Sequence, residues 1–395
     1  MQYTFSDRIS ALKPSAIREI LKATQDPNAI SFAAGSPASE AFPAAQMQIF
    51  IDEILTKNPA AALTYGVSEG YTPLREAVKA RMRDKYQTGT DDDDILIVTG
   101  GQQGIELLSK CVLNEGDTVI SEAPSFIGAL NAFRSFGVDL VGVPMEHDGM
   151  NIASLEKALA ENPKAKFIYV IPTFQNPSGY VTSLEKRKAI LALAKKYDVL
   201  ILEDNPYFEL RYSGSFVPTI KSLDTEGRVV YCGSFSKILS PGIRVGYVIA
   251  GREMIAKMTV AKQVSDVHTN LVFQMVAQKM LTEFDIDRHI AWLCDLYREK
   301  RDAMTGAIRR YLPSLSFVEP EGGLFLWLKL PDSISGADFA KACAAKGVMC
   351  VPGATFLTDE AAACPYVRLN FSTPSLAQIE EGVRRMGEVA KEFGL

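Results

Sequence analysis

An α/β fold built on a mostly parallel sheet, with a smaller α+β unit, is predicted by three features of the chain. Between Thr118 and Asp204, apolar runs that read as strands (118–121, 138–143, 167–171 and 199–202) alternate with helical segments. That alternation is the mark of βαβ units. Further buried runs at 95–99 and 229–232 flank the series. Polar and aromatic residues then fall where a parallel sheet binds ligands, just beyond the carboxyl ends of strands: Phe126, Gln175 to Gly179, Asp204 to Tyr207, and Lys237. The final third breaks the pattern, with helices near 288–311 and 337–345 among the segments 322–328, 348–351 and 366–372, and this reads as the α+β unit.

Composition sets the outer limits. With 395 residues, 47% of them hydrophobic and 23% charged, the chain can bury a large core and form two domains, or one with an appendage. A net charge of −5 and no basic run longer than Lys186-Arg187-Lys188 argue against a nucleic-acid surface. No stretch approaches 18 consecutive apolar residues, and Met1 to Arg8 lacks a signal peptide's apolar core, so no membrane partner and a cytoplasmic location are expected. Six cysteines without a C-x-x-C spacing suggest neither disulfides nor a thiolate metal site, and three dispersed histidines suggest no metal cluster. The cysteines are expected to be reduced core residues.

In chain order, Ser15 caps a short helix with an apolar stripe at Ile17, Ile20 and Leu21, and Arg18 lies at the edge of that stripe. A strand at 30–34 runs into small residues, where Gly35 and Ser36 could approach a ligand; spacing alone leaves a plain turn open. Ala44 to Lys57 reads as a helix, Tyr65 sits in a glycine-containing loop, and Thr72-Pro73 opens another helix. Asp91 to Asp94 reads as a solvated turn. The strand 95–99, the turn Gly100-Gly101-Gln102-Gln103-Gly104 and the following helix make an anion site, because free N–H groups and the positive helix end converge there. Gly101, Gln102 and Gln103 are the expected phosphate cradle, with tight glycine packing as the alternative. Neither a G-x-G-x-x-G nor a G-x-x-x-x-G-K-[ST] motif is present.

The most informative stretch is Gly233 to Gly246. Lys237 follows a buried strand, and a desolvated amine becomes a nucleophile. Ser234, Ser236 and Arg244 surround the same point with donors suited to a phosphate. An amine beside a phosphate clamp suggests pyridoxal 5'-phosphate, with Lys237 as the Schiff-base lysine. Asp204 at a strand end fits the carboxylate needed beside a protonated pyridine nitrogen, or an Asx turn before Pro206. Asn176 and Tyr207 offer donors for the ring oxygen, and Phe126 offers an aromatic face; each could equally be a turn or core residue.

With these motifs assembled, the chain resembles the class I/II aminotransferases of PLP fold type I over nearly its whole length. The motifs are Tyr65-Gly66, Gly100 to Gln103, Asn176-Pro177, Asp204 to Tyr207, Ser234 to Arg244, and Tyr366 to Ser372. The N-terminal run Ser15 to Leu21 and Ile30 to Pro37 is most similar to the α-aminoadipate and kynurenine aminotransferase branch. The resemblance implies a large domain with a seven-stranded, mostly parallel sheet (41–290), a small domain (291–395), and an N-terminal helix and arm (1–40) that joins the small domain. It implies Lys237, Asp204 and Tyr207 in catalysis, with Lys237 as the proton shuttle. Cofactor contacts would come from Gly101, Gln102, Gln103, Phe126, Asn176, Asp204, Tyr207, Ser234, Ser236 and Arg244, and from Tyr65 across a homodimer interface. Arg368 would hold the substrate α-carboxylate, helped by Asn176 and Gly35, while Arg18 would meet substrate side chains. The activity implied is ping-pong transamination from an aromatic, aliphatic or aminoadipate-like L-amino acid to a 2-oxoacid such as 2-oxoglutarate. A fold-type I β-lyase or decarboxylase would share the cofactor residues, and a regulatory module of the same fold would carry a helix-turn-helix segment before this domain. Residues 253–287 lack the arginine by which the aspartate branch binds a side-chain carboxylate from the partner.

Overall fold

The computed structural model describes residues 3–10, 12 and 29–395. The expected helix after Ser15, with Arg18, lies outside them. Among the described residues there are thirteen strands: β1 (Ile30–Ser31), β2 (Asp93–Val98), β3 (Thr118–Ala123), β4 (Asp139–Glu146), β5 (Gly149–Met150), β6 (Ala165–Val170), β7 (Leu200–Asp204), β8 (Val229–Ser234), β9 (Gly246–Gly251), β10 (Phe325–Lys329), β11 (Val348–Met349), β12 (Val351–Pro352) and β13 (Tyr366–Asn370).

The large sheet has the order β2-β9-β8-β7-β6-β3-β4-β5. Strands β8, β7, β6, β3 and β4 are mutually parallel, while β9 runs antiparallel to both its neighbours. The sheet has eight strands rather than seven because the chain turns back on β4 for the two residues of β5. Strand β6 shows why the sheet is central. Phe167 and Tyr169 join the core formed with Leu107, Leu108 and Met258 on one face, and Ile168 and Val170 join Leu155, Leu159 and Ile190 on the other. Period-two alternation therefore buries apolar residues on both faces, as a helix-covered parallel sheet requires. Gly104 lets the helix Gly101–Val112 lie close on the sheet, since a Cβ there would meet Cys232 Sγ at 2.8 Å and Val248 Cγ2 at 2.9 Å.

The smaller sheet has the order β10-β13-β12, and β1 pairs with β11, so residues near the start of the described chain dock on its last third. The 26-residue helix Ile286–Tyr311 spans the boundary expected at 290 and packs along the helix Leu376–Glu392.

A second expectation is corrected. The acidic tract is not a solvated turn throughout, because Asp93 begins β2 and is buried against Lys221, whose Nζ donates to Asp93 Oδ1 at 2.7 Å. A buried carboxylate needs such a partner to offset the loss of water. All six cysteines are free, four of them buried and Cys111 and Cys364 partly so. Among the described residues no helix is long and apolar enough to cross a membrane, and no His/Cys/Asp/Glu cluster is arranged for a metal ion.

Candidate active site

A cavity of about 340 Å³ opens at the carboxyl ends of β7 and β8. It is lined by Gly35, Gly101, Gln102, Phe126, Asn176, Asp204, Tyr207, Ser234, Ser236, Lys237, Arg244 and Arg368, and also by Ile105, Ile171, Pro206 and Phe325. Of the described residues singled out from sequence, Ser36, Gln103 and Tyr65 are not in its wall.

One end is built for an anion. The N–H groups of the first helical turn at Gly101 and Gln102 have no partners within the helix, and the Ser234 and Ser236 hydroxyls lie 2.9 Å apart beside them. Arg244 has left-handed backbone (φ 51°), and its guanidinium donates to the carbonyls of Thr99 and Pro241, each at 3.2 Å. Gly100 (φ 75°) is required against it, because a Cβ would come within 2.2 Å of Arg244 Nη2. The side chain of Gln103 points away from the cavity: its carbonyl oxygen accepts from Thr99 N at 2.8 Å and Lys262 Nζ at 2.6 Å, and its Nε2 donates to Asp266 at 2.8 Å. Lys262 and Asp266 were not anticipated, and they claim this amide. Tyr65 is 85% exposed and meets the ring of His268 edge-on.

At the centre, the Lys237 amine donates to the Gly35 carbonyl at 2.7 Å and lies 5.8 Å from the centre of the Tyr207 ring. Burial, reinforced by the charges of Arg368 and Arg244, lowers its pKa to about 8, against a smaller opposing pull from Asp204. Asp204 accepts a hydrogen bond from the Tyr169 hydroxyl at 2.7 Å, and burial raises its pKa to about 6, with that bond and Lys237 working the other way. Tyr169 was missed in the sequence, although strand parity could have found it: Tyr169 pairs with Leu202, which shares a face with Asp204.

At the far end stands Arg368, 2% exposed, with no carboxylate bound to it among the described residues. Its Nη1 donates to Asn176 Oδ1 at 2.9 Å and its Nη2 to the Ala33 carbonyl at 2.7 Å, whereas Nε has no partner. The guanidinium lies over the rings of Phe325 and Phe356, with ring centres 4.2 and 4.9 Å away. Burial lowers its pKa to about 10. A buried guanidinium with a free N–H is a receptor for a carboxylate. Burial also drives the Tyr207 hydroxyl well above its ordinary pKa.

This is an α/β enzyme whose site joins an amine to a dianion clamp and a carboxylate receptor. The aminotransferase class I and II family model matches residues 27–386. Aromatic-amino-acid aminotransferase 1 of Thermococcus litoralis is 40% identical over 98% of this chain and 94% of its own, and 2-aminoadipate transaminase of Thermus thermophilus is 36% identical over 98% and 96%. The structure of Pyrococcus horikoshii kynurenine aminotransferase with pyridoxamine phosphate superposes with a TM-score of 0.94 at 38% identity, covering 98% of this chain and 97% of that one. The chain belongs to the class I and II aminotransferase family. It is a pyridoxal-phosphate-dependent aminotransferase in the branch of the aromatic, aminoadipate and kynurenine enzymes.

The residues present fit that cofactor: hydroxyl, N–H and guanidinium donors for a phosphate, a carboxylate and an aromatic face for a ring, and an amine for its carbonyl. Only the neutral amine attacks a carbonyl, so the depressed pKa of Lys237 sets a testable pH dependence. The rate of covalent uptake of pyridoxal phosphate by apo-protein should rise about tenfold per pH unit below about 8 and level off above it. Stopped-flow absorbance across pH 6.5 to 9.5 measures this, and a plateau already reached at pH 7 would contradict it.

Proposed function

We propose that this enzyme transfers the amino group of an L-amino acid to a 2-oxoacid with Lys237 as the proton carrier, in two half-reactions on one cofactor. The observation that carries this reading is the placement of the Lys237 amine and the carboxylate-free Arg368 guanidinium in one cavity. Pyridoxal phosphate, when bound, supplies an electrophilic carbonyl and a ring that takes up the electron pair of the broken substrate bond. In this reading Gly101, Gln102, Ser234, Ser236 and Arg244 hold the phosphate, Phe126 covers the ring, and Asp204, braced by Tyr169, keeps a proton on the ring nitrogen. Asn176 and Tyr207 serve the ring oxygen. Arg368 would bind the substrate α-carboxylate, which aligns the Cα–H bond with Lys237, and the lysine amine would take up that proton and hand it on. Phe325 and Ile171 give the cavity apolar walls.

The same proposal includes a large domain at 41–290, a small domain at 291–395 joined by residues 1–40, and a homodimer with shared sites. Supporting the dimer, Leu63 at the end of the helix Pro59–Leu63 and Tyr65 and Val67 on the loop after it are exposed, and Val264 and Val267 are exposed in the segment before His268, which meets Tyr65. Such a patch suits a second copy. Six unlinked cysteines suit a reducing, cytoplasmic setting. For substrates we propose aromatic, aliphatic and aminoadipate-like amino acids with 2-oxoglutarate as acceptor; aromatic amino acids and 2-aminoadipate are the substrates of the similar enzymes of Thermococcus litoralis and Thermus thermophilus. Arg18 would meet distal carboxylates.

Three outcomes follow. Lys237→Ala should abolish transamination while the protein folds and still holds pyridoxal phosphate noncovalently; amino acid alone should convert the wild-type cofactor to pyridoxamine phosphate, and appreciable turnover by the variant would sink the assignment. Mixing Tyr65→Phe with Lys237→Ala chains, with subunit exchange confirmed, should give activity above the unmixed Tyr65→Phe parent if Tyr65 acts across the dimer. Arg18→Ala should lower kcat/KM for dicarboxylic substrates about tenfold to a hundredfold, the loss of one charge-assisted hydrogen bond, and leave apolar ones little changed; equal losses for both would assign Arg18 to folding or closure.

A further inference from the structure

Glu122 ends its strand one residue before β3 closes, and it takes no part in the reaction as described above. It is 1% exposed. Its Oε2 accepts from the Ile171 amide and from Gln175 Nε2, both at 3.1 Å, while Oε1 has no partner. Gln175 is a hub. Its other Nε2 bond goes to the Pro124 carbonyl at 2.7 Å, its Oε1 accepts from the Ser178 amide at 2.8 Å and hydroxyl at 2.7 Å, and its own amide donates to the Tyr180 carbonyl at 3.0 Å. The residue carried in this turn is Asn176, which accepts from Arg368.

We propose that Glu122 is a positioning residue for the reaction: as an uncharged acid it anchors Gln175, and through Gln175 it fixes the turn that presents Asn176 to Arg368. The inference rests on the reading of Arg368 as the carboxylate receptor. The uncharged form follows from the surroundings. No cation pairs with Glu122 among the described residues, both donors converge on one oxygen, and the neighbouring β4 residue is Val143. The titratable groups that face it are Asp204 at the end of β7 and Tyr169 on β6. A carboxylate so placed would be a buried charge without a counterion beside another carboxylate, whereas a neutral acid leaves one O–H unpaired, a smaller penalty. In agreement, burial raises the pKa of Glu122 to about 8, its two hydrogen bonds opposing and Asp204 adding to the rise. The Oε2 atom is then the carbonyl oxygen and Oε1 carries the proton.

The sign of the linkage is fixed by that assignment. Between the ordinary carboxylate pKa and about 8 the folded protein holds a proton that the unfolded chain releases, so stability falls as pH rises through this window. Glu122→Gln keeps an acceptor for Ile171 and Gln175 and removes the titration. Two measurements on the holoenzyme test the proposal. The melting temperature of Glu122→Gln should gain on wild type by several degrees between pH 5 and 8 and stop gaining above; a difference that stays constant with pH overturns the uncharged acid. Glu122→Ala should raise KM for 2-oxoglutarate about tenfold with kcat reduced less than threefold, and Glu122→Gln should restore KM to within about threefold. If Glu122→Ala does not fold, Gln175→Ala carries the same expectation. An unchanged KM, or no rescue by glutamine, overturns the positioning role. The melting arm does not depend on Arg368 or Lys237, so failure of the transamination reading would appear in the Lys237→Ala experiment and leave this arm standing.

Discussion

Three cationic side chains, Lys237, Arg244 and Arg368, share a cavity in which Asp204 is the one acidic wall among the described residues. Like charges brought together out of water repel strongly, and the surrounding fold must hold them apart from any neutralising partner. The means are local. Carbonyl oxygens of Gly35, Ala33, Thr99 and Pro241 take the N–H groups, and two phenylalanine faces lie against Arg368. Dipoles and rings partly solvate each cation without cancelling it, so the site keeps its attraction for a phosphate dianion and a carboxylate.

The sheet supplies the positions. β7 and β8 are parallel neighbours in register, Asp204 opposite Cys232, so Lys237 emerges just beyond the strand beside the one that ends in Asp204. The antiparallel strand β9 brings Arg244, just before its start, back against the turn at Gly100 that follows β2. The smaller sheet carries Arg368 on β13 between Trp327 of β10 and Val351 of β12. Each element is fixed by burial of both faces or by a close glycine contact, which leaves little freedom for the polar groups at its tip.

Most of this was legible in the sequence because it is written locally. Apolar runs of strand length, helical segments between them, and polar residues just past strand ends identify the sheet and most of the cavity wall, and the motif around Lys237 places Ser234, Ser236 and Arg244 in that wall. What was not legible depends on residues far apart. Gln103 looks like a cradle residue from its place in the glycine turn, but Lys262 and Asp266 compete for its amide from a later helix and its end. Asp93 looks solvated within four aspartates until Lys221 arrives from residues beyond β7. Phe325 and Phe356 carry no local signal of a role, and only the folded chain sets both rings against the Arg368 guanidinium.

The two-residue pairing of β1 with β11 also governs when the enzyme comes into being. Residues 30–35 leave the ribosome early, yet their partners come more than three hundred residues later: the Ala33 carbonyl is separated from Arg368 by 335 positions, and Ile30 is in register with Val348. Long-range pairings of this kind close late, after the loop entropy of the intervening chain has been met. The βαβ core can consolidate during synthesis, but the segment that holds both the Lys237 amine and the Arg368 guanidinium cannot lock until the last strand is out. A nascent chain therefore carries Lys237 without the Arg368 guanidinium beside it until synthesis has passed β13, and the two groups share a cavity only from that point on.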